Sequence, residues 1–278
     1  MRPTADADTH SLALVAFDAD DTLWHNERSY RDARERFCRM LNDAGVALAP
    51  DAIDVHVNRT EAANLGFYGY GVSSFVLSLI ETALDLTGGR ISGGDLRGVI
   101  ELAKAMHTED VELFPGVRDL LTSLAARYPL MLITKGQLLH QTSKLDRSGL
   151  RDCFRFVEVV SHKTPDVYGA ILSRHGVDPA RFVMIGNSLR SDILPVLETG
   201  AWAVHVPAEL SWAHEDADLP AAPIPRYFTL PAIDRLPGVL AAIEQTIADA
   251  RRGVRRSPLR RSAPGAGRRR PAAGSRRS

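Results

Sequence analysis

Five short apolar runs punctuate the chain, each ending in polar or turn-forming residues: LALVAFD (12–18), PLMLITKG (129–136), RFVEVVS (155–161), RFVMIGN (181–187) and AWAVHVP (201–207). Apolar side chains at successive positions, rather than alternate ones, predict strands buried on both faces. Between the later runs, VRDLLTSLAARY and PDVYGAILSRHG carry apolar residues three and four apart, the spacing of amphipathic helices. Thr164-Pro165 supplies an N-cap followed by proline at the first helical position, and Pro115-Gly116 opens another segment. This alternation predicts an α/β fold, a Rossmann-like parallel sheet covered by helices, with ligands bound beyond the carboxyl ends of the strands.

One region breaks the alternation. From Asn26 to His107 the pattern has helical periods and no strand. Tyr30, Ala33, Phe37, Leu41 and Ala44 line one face of a first helix that ends at Gly45. Further helices are predicted over about 50–63, 72–86 and 94–107. Inserted after the first strand, they would form a helical cap (26–107) above a core built from 11–25 and 108–250. Within the insert, GFYGYG (66–71) reads as a loop whose aromatics either line a pocket or pack inside the helical module.

Composition adds bounds. Of 278 residues, 45% are hydrophobic and 24% charged, ordinary for a globular protein with a proper core. The formal net charge of zero hides an asymmetry: eleven of the 34 basic residues are arginines between Arg251 and Ser278, leaving 23 against 34 acids elsewhere. An acidic body argues against a nucleic-acid surface as the main activity. The tail 251–278, without apolar periodicity, is expected to be disordered and at most to touch nucleic acid weakly. Two cysteines, Cys38 and Cys153, lie outside any CxxC spacing, so a cytoplasmic protein without disulfides is expected. No run reaches the ~20 apolar residues of a membrane helix, and the early SLALVAF reads as a core strand rather than a signal peptide.

Chemistry-bearing residues fall at four strand ends. Asp18-Ala19-Asp20-Asp21-Thr22 follows the first strand, Thr134-Lys135-Gly136 the second, Lys163 the third, and Gly186-Asn187-Ser188-Leu189-Arg190-Ser191-Asp192 the fourth. Asp18 at a strand tip could attack phosphorus in line. Asp20, two residues on, could protonate the leaving oxygen and then activate water. Their mutual repulsion would be relieved by Mg²⁺, which prefers oxygen ligands. Thr134, the nearby backbone N–H groups and Lys163 would bind phosphoryl oxygens, and Asn187 and Asp192 would complete the metal shell.

This ordered set, DxDxT, a threonine after a strand, a lysine before a helix and GNSxxxD, resembles the haloacid dehalogenase (HAD) superfamily over roughly residues 12–245. FDADDTLW and GNSLRSD look more narrowly like its phosphatase-type members with a helical cap inserted after the first motif. The resemblance implies Asp18 as nucleophile and metal ligand, and Asp20 as general acid/base lending its backbone carbonyl to Mg²⁺. It further implies Thr134 and Lys163 as the phosphoryl-binding pair, with Lys135 and Gly136 beside them. Asn187 and Asp192 match the metal-holding motif, and Thr22 is a structural member of the first.

Three positions depart from the pattern. Asp21 stands where glycine is common, so the turn there is expected to differ slightly. Lys135 follows the threonine in place of asparagine and is expected to add positive charge near the phosphate. Asn187 replaces the usual aspartate and is expected to weaken metal affinity.

The expected activity is Mg²⁺-dependent hydrolysis of a small phosphorylated metabolite through an aspartyl-phosphate. The competing readings are a 2-haloacid dehalogenase, which would not need Asp20, and a non-catalytic phosphate-binding or signalling protein, which would not need the helical insert.

Overall fold

The computed structural model describes residues 11–256, apart from 211, 213, 214, 216 and 220–222, and only the backbone of 253–256. Each apolar run becomes a strand within its expected bounds: β1 (Leu14–Phe17), β2 (Leu130–Lys135), β3 (Phe156–Val160), β4 (Phe182–Gly186) and β5 (Trp202–His205). A sixth, β6 (Tyr227–Thr229), carried too few residues to show a pattern. The strands form one parallel sheet in the order β3-β2-β1-β4-β5-β6, with β1 between β2 and β4.

Consecutive side chains on a strand point to opposite faces, so the unbroken apolar runs build two cores at once. Val15, Phe17, Leu132 and Ile185 face a layer that includes α5 (Val117–Ala125) and α9 (Leu236–Arg256). Leu14, Ala16, Ile133 and Met184 face α7 (Pro165–His175) and α8 (Leu194–Glu198). Full burial of each such aliphatic side chain is worth about 1.5–3 kcal/mol, which fixes the strand register and with it the strand tips. On α9, Leu236, Leu240, Ile243 and Ile247 supply one apolar stripe. That helix runs through Arg256, so the expected start of a disordered tail at 251 is corrected by six helical residues. The rest of the tail lies outside the described residues.

The insert consists of α1 (Glu27–Asp43), α2 (Pro50–Tyr68), α3 (Val72–Thr87) and α4 (Gly93–Thr108). Phe37, Leu41, Ile53, Val57, Phe75, Leu79 and Val99 pack into a core of its own, separate from the two on the sheet. The expectation of a loop from 66 to 71 is corrected: α2 continues to Tyr68 and ends at Gly69, whose φ is +69°. A polar seam holds α2 against α3, with Asn64 Nδ2 donating to Ser78 Oγ at 3.0 Å and Thr82 Oγ1 to Thr60 Oγ1 at 3.2 Å. Those contacts override the weak helix propensity of Gly66. Phe67 and Tyr68 are consequently exposed on the outside of the insert, and Tyr70 alone of the three aromatics reaches the cavity. The remaining helix, α6 (Leu138–Ser148), follows β2 and flanks the site.

Candidate active site

The ends of β1, β2 and β4 and the segment after β3 converge as the topology requires. Asp18, just past β1, is tied to β4 by its N–H to the Ile185 carbonyl at 2.8 Å. Lys163 is almost wholly buried and donates to both Asp18 Oδ1 at 2.5 Å and Asp192 Oδ1 at 2.6 Å. Thr22 Oγ1 lies 3.1 Å from both Asp18 Oδ2 and Asn187 Oδ1. Asp192 also accepts the Ser188 N–H at 3.1 Å. It packs so tightly on Gly186 that a Cβ at that glycine would lie 2.3 Å from the Asp192 carboxyl carbon.

One ammonium between two buried carboxylates leaves a negative charge uncompensated. Burial, with Asp192 beside it, outweighs the attraction of Lys163 and raises the Asp18 carboxyl to about 7. Burial opposes charge on Lys163 as well, yet Asp18 and Asp192 more than offset it and hold the ammonium protonated.

Asp20 is in a different environment. Its Oδ1 accepts the Trp24 indole N–H at 2.6 Å and the Lys144 ammonium, and its Oδ2 accepts from Gln141 Nε2 at 2.8 Å. Burial alone would raise its pKa, but Lys144, Gln141 and Trp24 together hold it below the usual carboxylate value. Lys144 reaches on to Asn26 Oδ1 at 2.7 Å. Trp24 is fully buried and serves Asp20 from behind, and the His25 ring packs on Phe114 with centroids 4.1 Å apart and planes tilted by 56°. Asp21, at the glycine position of the motif, takes a left-handed φ of +57°, one of the few conformations aspartate shares with glycine. Its Oδ1 then accepts the N–H groups of Asn26 and Glu27 at 2.9 and 3.1 Å. It thus satisfies orphan donors at the start of α1 and sets how the insert leaves the core.

The β2 end differs in part from expectation. Thr134 is buried and lines the cavity. The Gly136 N–H, expected among the phosphoryl donors, is given to the Val160 carbonyl at 3.3 Å. The Lys135 charge is already paired: its ammonium contacts Glu215 and Ser191 Oγ (2.8 Å) and lies 4.3 Å from the centre of the Tyr70 ring. Glu215 gathers Ser188 Oγ and Ser191 Oγ at 2.6 Å each. Burial would raise its carboxyl, but Lys135 and the two serines pull it down to about 2.

Most of these groups line one cavity of about 140 Å³ whose floor is the sheet end and whose roof is the insert, with Thr22, Trp24 and Lys144 behind its wall. The expected site residues Asp18, Asp20, Thr134, Lys135, Gly136, Lys163, Asn187 and Asp192 all line it. The sequence reading missed Gln141, Lys144 and Glu215 around them, and Glu27, Tyr30, Arg34 and Glu61 in the roof. These are single residues within helices or a loop. The only signal for Gln141 and Lys144 was a three-residue spacing on α6 that turns both toward Asp20.

Among the described residues no cluster of three or more His, Cys, Asp or Glu is arranged to hold a metal ion. The donor set nevertheless suits Mg²⁺: the converging oxygens of Asp18, Asp192 and Asn187 are hard ligands in a floor with surplus negative charge. No helix among the described residues is long and apolar enough to cross a membrane.

Comparison with known proteins agrees with the fold. A haloacid dehalogenase-like family hydrolase of known structure from Xanthomonas campestris is 38% identical, with a TM-score of 0.77 over 90% of this chain and 99% of that one. A 2-haloacid dehalogenase from Pseudomonas syringae pv. Tomato (24% identical, TM-score 0.57, 83% of this chain and 99% of that one) shares the fold. Human N-acylneuraminate-9-phosphatase is 25% identical over 150 residues, 51% of this chain and 58% of that protein. The chain thus spans less than two thirds of the length of the curated relatives it matches, 58–63%. Residues 12–196 match the family of haloacid dehalogenase-like hydrolases, and with the six-stranded parallel sheet and its strand-end site they show that this chain belongs to it.

Proposed function

We propose that the protein is a Mg²⁺-dependent phosphomonoester hydrolase that works through an aspartyl-phosphate on Asp18. The observation that carries this reading is Lys163, held between Asp18 and Asp192 beside Thr134, with Asp20 in the same cavity. A nucleophile, a fixed cation and a second carboxylate within one enclosed volume are what phosphoryl transfer requires. The phosphatase name of the curated relative supports a small phosphorylated metabolite as substrate.

In this mechanism an Asp18 oxygen attacks phosphorus while the ester oxygen departs, and Asp20 gives that oxygen a proton. Asp20 then takes a proton from the water that attacks phosphorus, releasing phosphate and restoring Asp18. Lys163 and Thr134 hold the phosphoryl oxygens throughout. Asp18, Asp192, Asn187 and the Asp20 carbonyl would hold Mg²⁺, which supplies positive charge against the transferring phosphoryl group. As found, Asp20 is ionised and gripped by Lys144, Gln141 and Trp24, the state suited to activating water. Delivering a proton to the leaving oxygen requires the Lys144 contact to open and Asp20 first to take up a proton from solvent, the proton that the water-activating step then restores. The insert, residues 26–107, acts as a cap that excludes bulk water over the core formed by 11–25 and 108–250.

The test sets p-nitrophenyl phosphate against 2-chloropropionate, each with and without EDTA. Hydrolysis of the phosphate ester alone, abolished by EDTA and lowered at least ~10³-fold in a folded Asp18→Asn variant, is the expected result. EDTA-insensitive release of chloride would replace this reading with dehalogenation.

A further inference from the structure

The floor of the cavity accounts for the phosphoryl group and leaves the roof unexplained. Four polar side chains of the insert face the same volume: Glu27 and Tyr30 on α1, Arg34 one turn further, and Glu61 on α2. Arg34 is fixed, donating to Asn58 Oδ1 at 2.7 Å and to Glu61 Oε2 at 2.5 Å, with its guanidinium 5.7 Å from the centre of the Phe75 ring. Its Nε is buried without a partner. The Glu27 carboxylate and the Tyr30 hydroxyl make no hydrogen bond among the described residues. An acid in the first turn of a helix is ordinary, because the helix dipole favours its charge. Glu27 does not behave as such a residue: burial, with Asp21 and Glu61 nearby, raises its carboxyl to about 7. Glu27 and Tyr30 are only partly buried, and such open hydrogen-bonding groups in a cavity wall are available to a ligand.

Building on the phosphatase reading, we propose that this roof selects phosphomonoesters whose distal part is an uncharged polyol or sugar. The wall presents the Glu27 carboxyl and the Tyr30 hydroxyl, with the Arg34 guanidinium, already paired to Glu61 and Asn58, beside them. A hydroxyl group can donate to or accept from either, whichever protonation state Glu27 holds. A second anion such as a carboxylate meets three acids, Glu27, Glu61 and Asp21. An ammonium faces the Arg34 charge. Leu65 and Phe75, which also line the cavity, offer apolar surface to a carbon skeleton.

The experiment measures kcat/KM of the Mg²⁺-loaded full chain for ribose 5-phosphate and glycerol 3-phosphate against phosphoglycolate, phosphoethanolamine and p-nitrophenyl phosphate. The polyol and sugar esters are expected to exceed phosphoglycolate and phosphoethanolamine by at least ~10-fold, because a site built for hydroxyls strongly rejects groups that leave its polar atoms unpaired. Glu27→Leu is expected to lower the ratio of ribose 5-phosphate to p-nitrophenyl phosphate kcat/KM about tenfold, and Tyr30→Phe about threefold. If Glu27→Leu does not fold, Tyr30→Phe keeps the test decisive. Hydrolysis of p-nitrophenyl phosphate without any preference among the metabolite esters, or a ratio that neither variant moves, overturns this inference and leaves the phosphatase reading intact. Failure to hydrolyse any phosphate ester overturns both.

Discussion

The floor and the roof of the cavity are built on opposite plans. In the floor, Asp18, Lys163, Asp192, Thr22 and Asn187 are joined by contacts of about 3 Å or less, all rooted in strands that the buried sheet holds in register. In the roof, Arg34 is paired with Glu61 and Asn58, whereas among the described residues the Glu27 carboxylate and the Tyr30 hydroxyl make no hydrogen bond, on a helix with a separate core. The difference separates two tasks. Groups that act on charge developing during a reaction gain from being fixed beforehand. Groups that identify a substrate must leave their hydrogen bonds open for it.

The largest effect that would test this division comes from Lys163→Ala. Removing the shared ammonium leaves two buried carboxylates facing each other, and breaking a buried pair costs about 3–5 kcal/mol. We expect phosphatase activity to fall at least ~10³-fold, with a marked drop in melting temperature when no divalent cation is present. Added Mg²⁺ should restore much of the stability but not the activity. An active Lys163→Ala enzyme would mean the floor is not the catalytic part.

The same division explains what the residues disclosed in advance. Strand tips are legible because short unbroken apolar runs bounded by turn residues, such as PLMLITKG and RFVMIGN, read as buried strands, and the residue after each run is therefore placed. Asp18 and Thr134 were placed at the cavity in this way, and Lys163 and Asp192 by motifs a few residues beyond their runs; all four line it, and the family comparison agrees with the fold that brings them together. Gln141, Lys144 and Glu215 were not, because nothing in their local sequence distinguishes them from ordinary surface residues. Their meaning arises only when α6 and the segment after β5 fold back onto Asp20 and Lys135. The extension of α2 was hidden for a similar reason: Gly66 argues locally for a loop, and the Asn64–Ser78 contact that opposes it is tertiary.

A smaller perturbation probes the floor from beneath. Gly186 has an ordinary strand backbone, so alanine there is not strained by its φ. The new methyl would instead displace Asp192, whose carboxyl carbon lies 2.3 Å from the Cβ position. Gly186→Ala should weaken Mg²⁺ binding at least ~10-fold by titration calorimetry, because Asp192 would lose Lys163 and the Ser188 N–H together. The roof should be untouched, so the ratio of ribose 5-phosphate to p-nitrophenyl phosphate kcat/KM should stay constant while both rates fall. A change in that ratio would show that floor and roof do not act separately.

The smallest effect lies in the pH dependence of stability, and it distinguishes the two regions without a substrate. Glu27 and Glu61 both rise from 4.5 to about 7, chiefly through burial; Asp21 raises Glu27 further and Asp54 raises Glu61, while Arg34 opposes both shifts. Between those values the folded chain binds more protons than the unfolded one, so stability is lost as pH rises from about 4.5 to 7. Below 4.5 the contribution is present in full. Asp18 in the floor shifts in the same direction, from 3.8 to about 7, but a bound cation would remove the surplus charge that causes it. Glu215 runs the other way: its stabilisation is lost only as pH falls from 4.5 through about 2. With saturating Mg²⁺ the floor should contribute little slope; the decline between pH 5 and 7.5 should come from the roof with a smaller part from Asp21, raised by burial to about 6, and be opposed up to pH 6.5 by His140, lowered by burial to about 4. Each roof carboxyl is worth on the order of 2–3 kcal/mol, or roughly 5 °C in melting temperature. Glu27→Gln should therefore flatten the decline in Mg²⁺ by about that amount, whereas a slope that vanishes on adding Mg²⁺ to the unaltered protein would assign the titration to the floor.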